Sequence, residues 1–371
     1  MNSPSPDTLA GPDPLARIRR DVQDLHAYAV QDATGLLKLD AMENPHRLAP
    51  ALQAELGRRL GAVEINRYPG PRIDTLKAAL RAFAQPPEGW SLMLGNGSDE
   101  LIGLLAMACA APGAGVLAPL PGFVMYGMSA QLQGLAFHGV PLRADFELDE
   151  AAMLAAIQTH RPALLYLAYP NNPTGTLWDA AVIDRLIAAQ GAQGGLVVMD
   201  EAYQPFATRS WIENARAAPA RHRHVLIMRT LSKFGLAGVR IGYLMGESRL
   251  VGEIDKLRPP YNVSALNAEC ALFALERAEV FAAQAEDIRR ERAGLLQALA
   301  RLPGVQPFPS QANMILARVP DASRAFAGMK ARGVLIKNVS AMHPLLANCL
   351  RLTVGAAQEN VQMLAALQAS L

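Results

Sequence analysis

Short apolar runs recur along the chain, and each ends on polar punctuation. Leu164-Leu165-Tyr166-Leu167-Ala168-Tyr169 leads into Pro170-Asn171-Asn172-Pro173-Thr174-Gly175, and Leu196-Val197-Val198-Met199 leads into Asp200-Glu201-Ala202-Tyr203. Val225-Leu226-Ile227-Met228 leads into Arg229-Thr230-Leu231-Ser232-Lys233. Between the first two lies a helical pattern, Ala180 to Ile187. Continuous apolar strands alternating with helices predict an α/β fold: a mostly parallel sheet covered by helices on both faces. In such sheets ligands bind beyond the carboxyl ends of the strands, where these three polar clusters fall. Residues 273–299 read as one long helix. Residues 305–371 read as a smaller α+β unit, with strands near 314–317 and 350–354.

At 371 residues the chain suits two domains. The expected division is a flexible Pro-rich arm at 1–14, a segment at 15–55 joining a small domain, a large domain at 56–264 and a C-terminal small domain at 265–371. No Asp, Glu, Lys or Arg occurs from Leu101 to Leu142. That is long enough to span a bilayer, but Pro112-Gly113, Pro119 and Pro121-Gly122 interrupt it. It reads as helix, buried strand, turn, helix and strand inside the core. A net charge of +2 is too balanced for a protein that binds nucleic acid or a membrane surface by charge. Cys109, Cys270 and Cys349 are scattered in apolar contexts and form no CxxC pair, which suits a reducing compartment, the cytoplasm. The N-terminus has no basic region followed by an apolar stretch, so no secretory signal is visible.

Chemistry concentrates at the strand ends. They carry an amide (Asn172), a carboxylate with a nearby phenol (Asp200 and Tyr203) and an amine (Lys233), one of only six lysines. A turn, Gly95-Asn96-Gly97-Ser98-Asp99-Glu100, precedes an apolar helix, with Ser98 expected as its N-cap. Free N–H groups there would seat a phosphate, and Arg240 could add a cation. A buried carboxylate, a phenol, a lysine and a phosphate seat meet the requirements of pyridoxal phosphate. Lys233 would form the Schiff base, Asp200 would keep the ring nitrogen protonated, and Tyr203 and Asn172 would bond the ring oxygen.

These residues resemble a known family. PNNPTG at 170–175, DEAY at 200–203 and TLSKFGLAGVRIGY at 230–243 are similar to fold-type-I aminotransferases. LDAMENP at 39–45, INRYPGP at 65–71, GNGSDE at 95–100 and CLRLTVG at 349–355 narrow the resemblance to the histidinol-phosphate aminotransferase family. The resemblance implies Lys233 as the cofactor lysine, Asp200 as the partner of the ring nitrogen, and Asn172 and Tyr203 as ligands of the ring oxygen. It implies phosphate contacts from Ser98, Asp99, Thr230, Ser232 and Arg240. Phe123 stands where the family often has a stacking tyrosine, which keeps the stacking and loses the hydroxyl. Tyr68 matches a tyrosine that reaches the neighbouring subunit's cofactor phosphate, so a homodimer with composite sites is implied. Tyr28, Asn172, Lys337 and Arg351 match substrate-contacting positions. The implied substrates are histidinol phosphate with glutamate and 2-oxoglutarate.

Taken singly, each residue has a plainer reading. Asp99 and Glu100 suit a helix N-terminus, Asp200 alone could be a turn residue, and Lys233 alone could be a surface lysine. Phe123 and Tyr126 are core aromatics by default, while His343, His222 and His224 read as loop and surface residues. What argues for a site is that three successive buried strands end in these groups together. No HExxH, Walker A or GxSxG motif is present. An aromatic-amino-acid aminotransferase or an amino-acid-phosphate decarboxylase would share the cofactor residues. A cofactor-sensing regulator would need a DNA-binding module for which the short N-terminal arm leaves no room.

Overall fold

The computed structural model describes residues 13–24 and 31–371, and the chain divides into two compact units, Met1–Thr34 and Gly35–Leu371. In the first, a 3-10 turn at Pro14–Arg17 is capped by Asp13, whose carboxylate accepts from Leu15 N. A one-turn helix, α1 (Arg20–Gln23), follows.

The second unit starts with β1 (Leu37–Lys38), α2 (Pro50–Gly61), α3 (Arg72–Ala84) and β2 (Trp90–Gly95). The segment without charges becomes α4 (Ser98–Ala108), β3 (Gly115–Leu120), α5 (Met125–Leu132) and β4 (Ala136–Pro141). Next come α6 (Glu150–His160), β5 (Leu164–Ala168), α7 (Ala180–Ala192), β6 (Leu196–Asp200), α8 (Trp211–Ala217) and β7 (Val225–Thr230). β8 (Gly242–Glu247) and α9 (Ser248–Asp255) complete the sheet region. The remainder is α10 (Ala265–Leu275), α11 (Ala278–Ala300), β9 (Gln306–Pro307), β10 (Met314–Arg318), α12 (Ala322–Ala331), β11 (Val334–Leu335), β12 (Lys337–Asn338), β13 (Cys349–Thr353) and α13 (Ala357–Gln368). Among the described residues no helix is long and apolar enough to cross a membrane.

Seven strands form one sheet in the order β2-β8-β7-β6-β5-β3-β4. Only β8 runs against its neighbours, β2 and β7; the other pairs are parallel. The predicted α/β class therefore holds, and the apolar runs are the central strands. Their side chains alternate between two cores. Leu165, Leu167, Val197, Met199 and Ile227 face one core, which α3, α6, α7, α8 and α10 cover. Leu164, Tyr166, Val198, Leu226 and Met228 face the other, under α4, α5 and α9. A third core joins α11, α12, α13 and the four-stranded sheet β12-β13-β10-β9, and it also takes in Leu39 and Met42.

Two expectations need correction. The helix predicted over 273–299 is two helices. Arg277 leaves helical geometry (φ −126°), lies 4.0 Å over the Phe273 ring and pairs with Glu55 and Glu276. Ala268, Ala271, Leu272 and Phe281 pack into the sheet-side core. His222, read as a surface residue, is buried, and its Nδ1 bonds Ala218 O at 2.8 Å.

An ion pair fixes the strand ends from behind. Glu201 is 1% exposed and Arg229 6%. Arg229 Nε donates to Glu201 at 2.9 Å, Ser210 Oγ donates to the same carboxylate at 2.9 and 3.0 Å, and Trp211 N donates as well. Removing one partner of such a pair strands the other charge in the core. Arg229→Met is accordingly expected to lower stability by about 3–5 kcal/mol, read as a fall in the urea midpoint. A midpoint within error of wild type would mean that the pair carries no load.

Candidate active site

The carboxyl ends of β5, β6 and β7 and the N-terminus of α4 converge on one pocket of about 610 Å³ counted to its open mouth. It gathers ten of the residues expected from sequence: Ser98, Asp99, Phe123, Asn172, Asp200, Tyr203, Thr230, Ser232, Lys233 and Arg240. Met42, Tyr126, Ala168, Pro170 and Ala202 also line it.

Asp200 ends a strand of buried residues. Its carboxylate accepts from Tyr126 Oη at 2.7 Å and from Ala202 N at 3.0 Å. Burial pushes its pKa up to about 6, against the pull of those two donors, while Asp99 and Glu201 push it further up. Lys233 lies in a π-helical turn, Ser232–Leu236, and its Nζ donates to Ala41 O at 2.8 Å. Its pKa falls to about 8, mainly through burial and then through Arg351 and Arg240, with Glu43 and Asp99 opposing. Tyr203 is buried, which raises its phenol pKa and keeps the hydroxyl protonated as a donor. Asn172 Oδ1 accepts from Arg351 Nη1 at 2.8 Å, which leaves the amide N–H groups to donate.

The anion seat is backbone. Ser98 is not the N-cap: Gly97 is, at φ 80°, and no side chain caps the helix. The first N–H groups of α4, from Ser98 and Asp99, therefore have no intrahelical partner and remain available to a ligand. Arg240 Nη1 donates to Ser232 Oγ at 3.2 Å, and Thr230 Oγ1 lies 3.0 Å from the same oxygen. A Cβ on Gly242 would come within 2.7 Å of Gly97 C and Ser98 N, so β8 can reach the turn only as glycine there.

The remaining expected residues sit apart. Arg351 adjoins the pocket through Asn172, and its Nη2 donates to Asp40 O at 2.7 Å. Lys337 pairs across from Arg351 in β12–β13, half-buried and outside the pocket wall. Tyr68 is 73% exposed, stacks on Tyr261 at 3.9 Å and borders a separate groove. Tyr28 lies outside the described residues. Two lining residues, Tyr126 and Met42, were not singled out as ligands from sequence. Tyr126 is the core aromatic expected, yet its hydroxyl reaches Asp200. Met42 adopts φ 52°, held by Thr353 Oγ1 at its N–H and Asn313 Nδ2 at its carbonyl. Neither property has a local sequence signal.

A partly neutral amine, a buried carboxylate and an anion seat in one pocket can capture a carbonyl compound that carries a phosphate. The family model for aminotransferase class I and II matches residues 34–369. The chain belongs to this aminotransferase family. It is 68% identical to the histidinol-phosphate aminotransferase of Acidovorax sp. (strain JS42), with 100% of both chains covered. It is 66% identical to that of Polaromonas naphthalenivorans (strain CJ2), covering 99% of this chain and 100% of that one. Among solved structures, the histidinol-phosphate aminotransferase of Sinorhizobium meliloti in complex with pyridoxal-5'-phosphate is similar with a TM-score of 0.81. There the identity is 25%, and 95% of this chain and 97% of that one are covered.

The donors present fit that cofactor. The uncapped α4 N-terminus with Arg240 suits a phosphate, the Asp200 carboxylate suits a protonated ring nitrogen, and Lys233 suits an aldehyde. Because the Lys233 pKa is lowered, its neutral form is already filled above about pH 8. Roughly one molecule in ten is neutral at pH 7, against roughly one in three thousand for an ordinary lysine. The rate at which cofactor-free protein captures pyridoxal phosphate should therefore rise with pH and level off near 8. A rate still climbing at pH 10 would contradict the lowered pKa.

Proposed function

We propose that the chain transfers an amino group between L-histidinol phosphate and 2-oxoglutarate, giving imidazole-acetol phosphate and L-glutamate in histidine biosynthesis. Pyridoxal phosphate is the cofactor. The observation that carries this reading is a half-buried lysine facing a buried carboxylate and an uncapped helix N-terminus. It occurs in a chain 66–69% identical to several histidinol-phosphate aminotransferases over nearly its whole length.

When bound, pyridoxal phosphate supplies an aldehyde that takes up the substrate amine and a ring that withdraws electrons from the adjacent carbon. Lys233 would anchor it, would yield to the substrate amine, and would then carry a proton at Nζ from the amine-bearing carbon to the carbon contributed by the aldehyde. Asp200 would hold the proton on the ring nitrogen, while Asn172 and Tyr203 would donate to the ring oxygen. Phe123 would pack against the ring. The backbone of Ser98 and Asp99, with Thr230, Ser232 and Arg240, would hold the phosphate.

One anion site has to accept the phosphate of one substrate and a carboxylate of the other. The planar fork of Arg351 suits both, and its bonds to Asn172 Oδ1 and Asp40 O hold it in place. Lys337, beside it on β12, and Tyr28 complete the proposed substrate contacts. An aromatic-amino-acid aminotransferase or an amino-acid-phosphate decarboxylase would use the same cofactor residues, so a substrate panel separates the readings. With 2-oxoglutarate as acceptor, histidinol phosphate should be transaminated far faster than phenylalanine, tyrosine or histidine. Preference for an aromatic amino acid, or release of carbon dioxide from a phosphorylated amino acid, would replace the proposed substrate.

The same proposal includes a homodimer with composite sites, in the cytoplasm. The latter is supported by three unpaired thiols. Within each subunit a large domain at 56–264 and a small domain made of 15–55 and 265–371 are proposed. The exposed ring of Tyr68, paired with Tyr261 at the edge of an apolar groove, supports a contact beyond its own subunit. Lys233→Ala and Tyr68→Ala homodimers should each be weak. Random re-pairing of equal amounts makes about half the dimers mixed, and a mixed dimer concentrates both defects in one site. Once subunit exchange is demonstrated, roughly a quarter of all sites should regain full activity. No recovery would mean that Tyr68 serves its own chain.

A further inference from the structure

The buried carboxylate needs help to stay ionised, and one residue outside the expected set supplies it. Tyr126 on α5 is 3% exposed, and its hydroxyl donates to Asp200 Oδ2 at 2.7 Å. Its ring is held on two sides: stacked on Tyr166 at 4.2 Å and 11°, and edge-on to Phe123 at 5.6 Å and 86°. A ring packed this way cannot swing its hydroxyl elsewhere. Burial and the neighbouring Asp200 also raise the phenol's own pKa, so Tyr126 stays a donor throughout the working pH range.

We propose that Tyr126 is a positioning residue that keeps the Asp200 carboxylate ionised and oriented for the cofactor's ring nitrogen. The acidic groups near Asp200 oppose its ionisation. Asp99 approaches from the N-terminus of α4 and Glu201 from the adjoining position, and both are acidic. Tyr203 from the following turn and Tyr166 from β5 bring phenols, and no hydrogen bond from either reaches the carboxylate. Besides Tyr126, the only donor to it among the described residues is Ala202 N, at 3.0 Å on the other oxygen. The two donors take different oxygens, so together they set the plane of the carboxylate as well as its charge. A protonated Asp200 could not pair with a protonated ring nitrogen, so the Tyr126 hydroxyl protects the electron-withdrawing capacity of the site.

The orientation toward the cofactor rests on the proposed function, but the ionisation does not, and the test separates them. Tyr126→Phe keeps the stack and removes only the donor. Infrared titration of the full-length cofactor-free protein would follow the protonated-carboxyl band that Asp200→Asn abolishes. The Asp200 midpoint should rise by roughly one pH unit or more, the size of a lost hydrogen bond to a charged acceptor. The acid limb of pyridoxal phosphate affinity should move up in parallel, and Tyr126→Phe should leave that limb unmoved in an Asp200→Asn background. Tyr166→Phe is the packing control. The Tyr166 hydroxyl is buried without a hydrogen-bond partner among the described residues, so its loss should leave the midpoint in place. An unshifted midpoint in Tyr126→Phe, or an equal shift in Tyr166→Phe, overturns the proposal. A shifted midpoint in a protein that binds no pyridoxal phosphate would uphold the ionisation and overturn both the proposed cofactor and the orientation toward it.

Discussion

Asp200 closes a strand with almost no exposed surface, and burial there raises the proton affinity of its carboxyl. A carboxylate in that position is useful only if it stays charged, and much of the surrounding structure acts on that requirement. Tyr126 and Ala202 N donate to its two oxygens, while Glu201, one residue on, spends its own charge on Arg229 and Ser210 behind the sheet. Neighbouring carboxylates thus point to opposite faces of one strand end. One is neutralised by an arginine and serves stability; the other is left for the pocket.

The same burial that burdens Asp200 assists Lys233. Desolvation penalises the charged form of either group, which raises the carboxyl pKa and lowers that of the amine. The two values, about 6 and about 8, bracket neutrality. At pH 7 the acid is largely ionised and the amine is partly neutral, the pair of states the proposed chemistry needs. Arg351 and Arg240 assist by making a second cation near Nζ costly, while their own charges serve anions.

The anion seat depends on backbone closeness more than on side chains. Gly97 takes a left-handed conformation that starts α4 without a side-chain cap, and Gly242 lets β8 come against the same turn. Arg240 is also left-handed (φ 55°), which turns its guanidinium back toward Ser232 and Asp99. A Cβ at Gly97 would meet the Arg240 guanidinium at 2.6 Å, and one at Gly242 would meet the turn itself.

The apolar runs ending in Asn172, Asp200 and Lys233 were legible in the sequence because a parallel sheet has to bury both faces of its central strands. The amide, carboxylate and amine then fall together at one sheet edge. The spacing of those runs and the family resemblance sufficed for the fold class and ten of the pocket residues. Where helices end was less legible. The break at Arg277 comes from its stacking on Phe273 and pairing with Glu55, which lies 222 positions away. The N-cap is Gly97 and not Ser98, since the backbone leaves helical geometry at Gly97 (φ 80°). Tyr126 read as a core aromatic, which it is, but its hydroxyl meets a carboxylate 74 positions on only because α5, packed on β3 and β4, stacks its ring on Tyr166 of β5. Local pattern thus determined which elements form and which of their ends carry chemistry. Contacts between distant segments decided the protonation of each group, since charge is set by what burial brings near it.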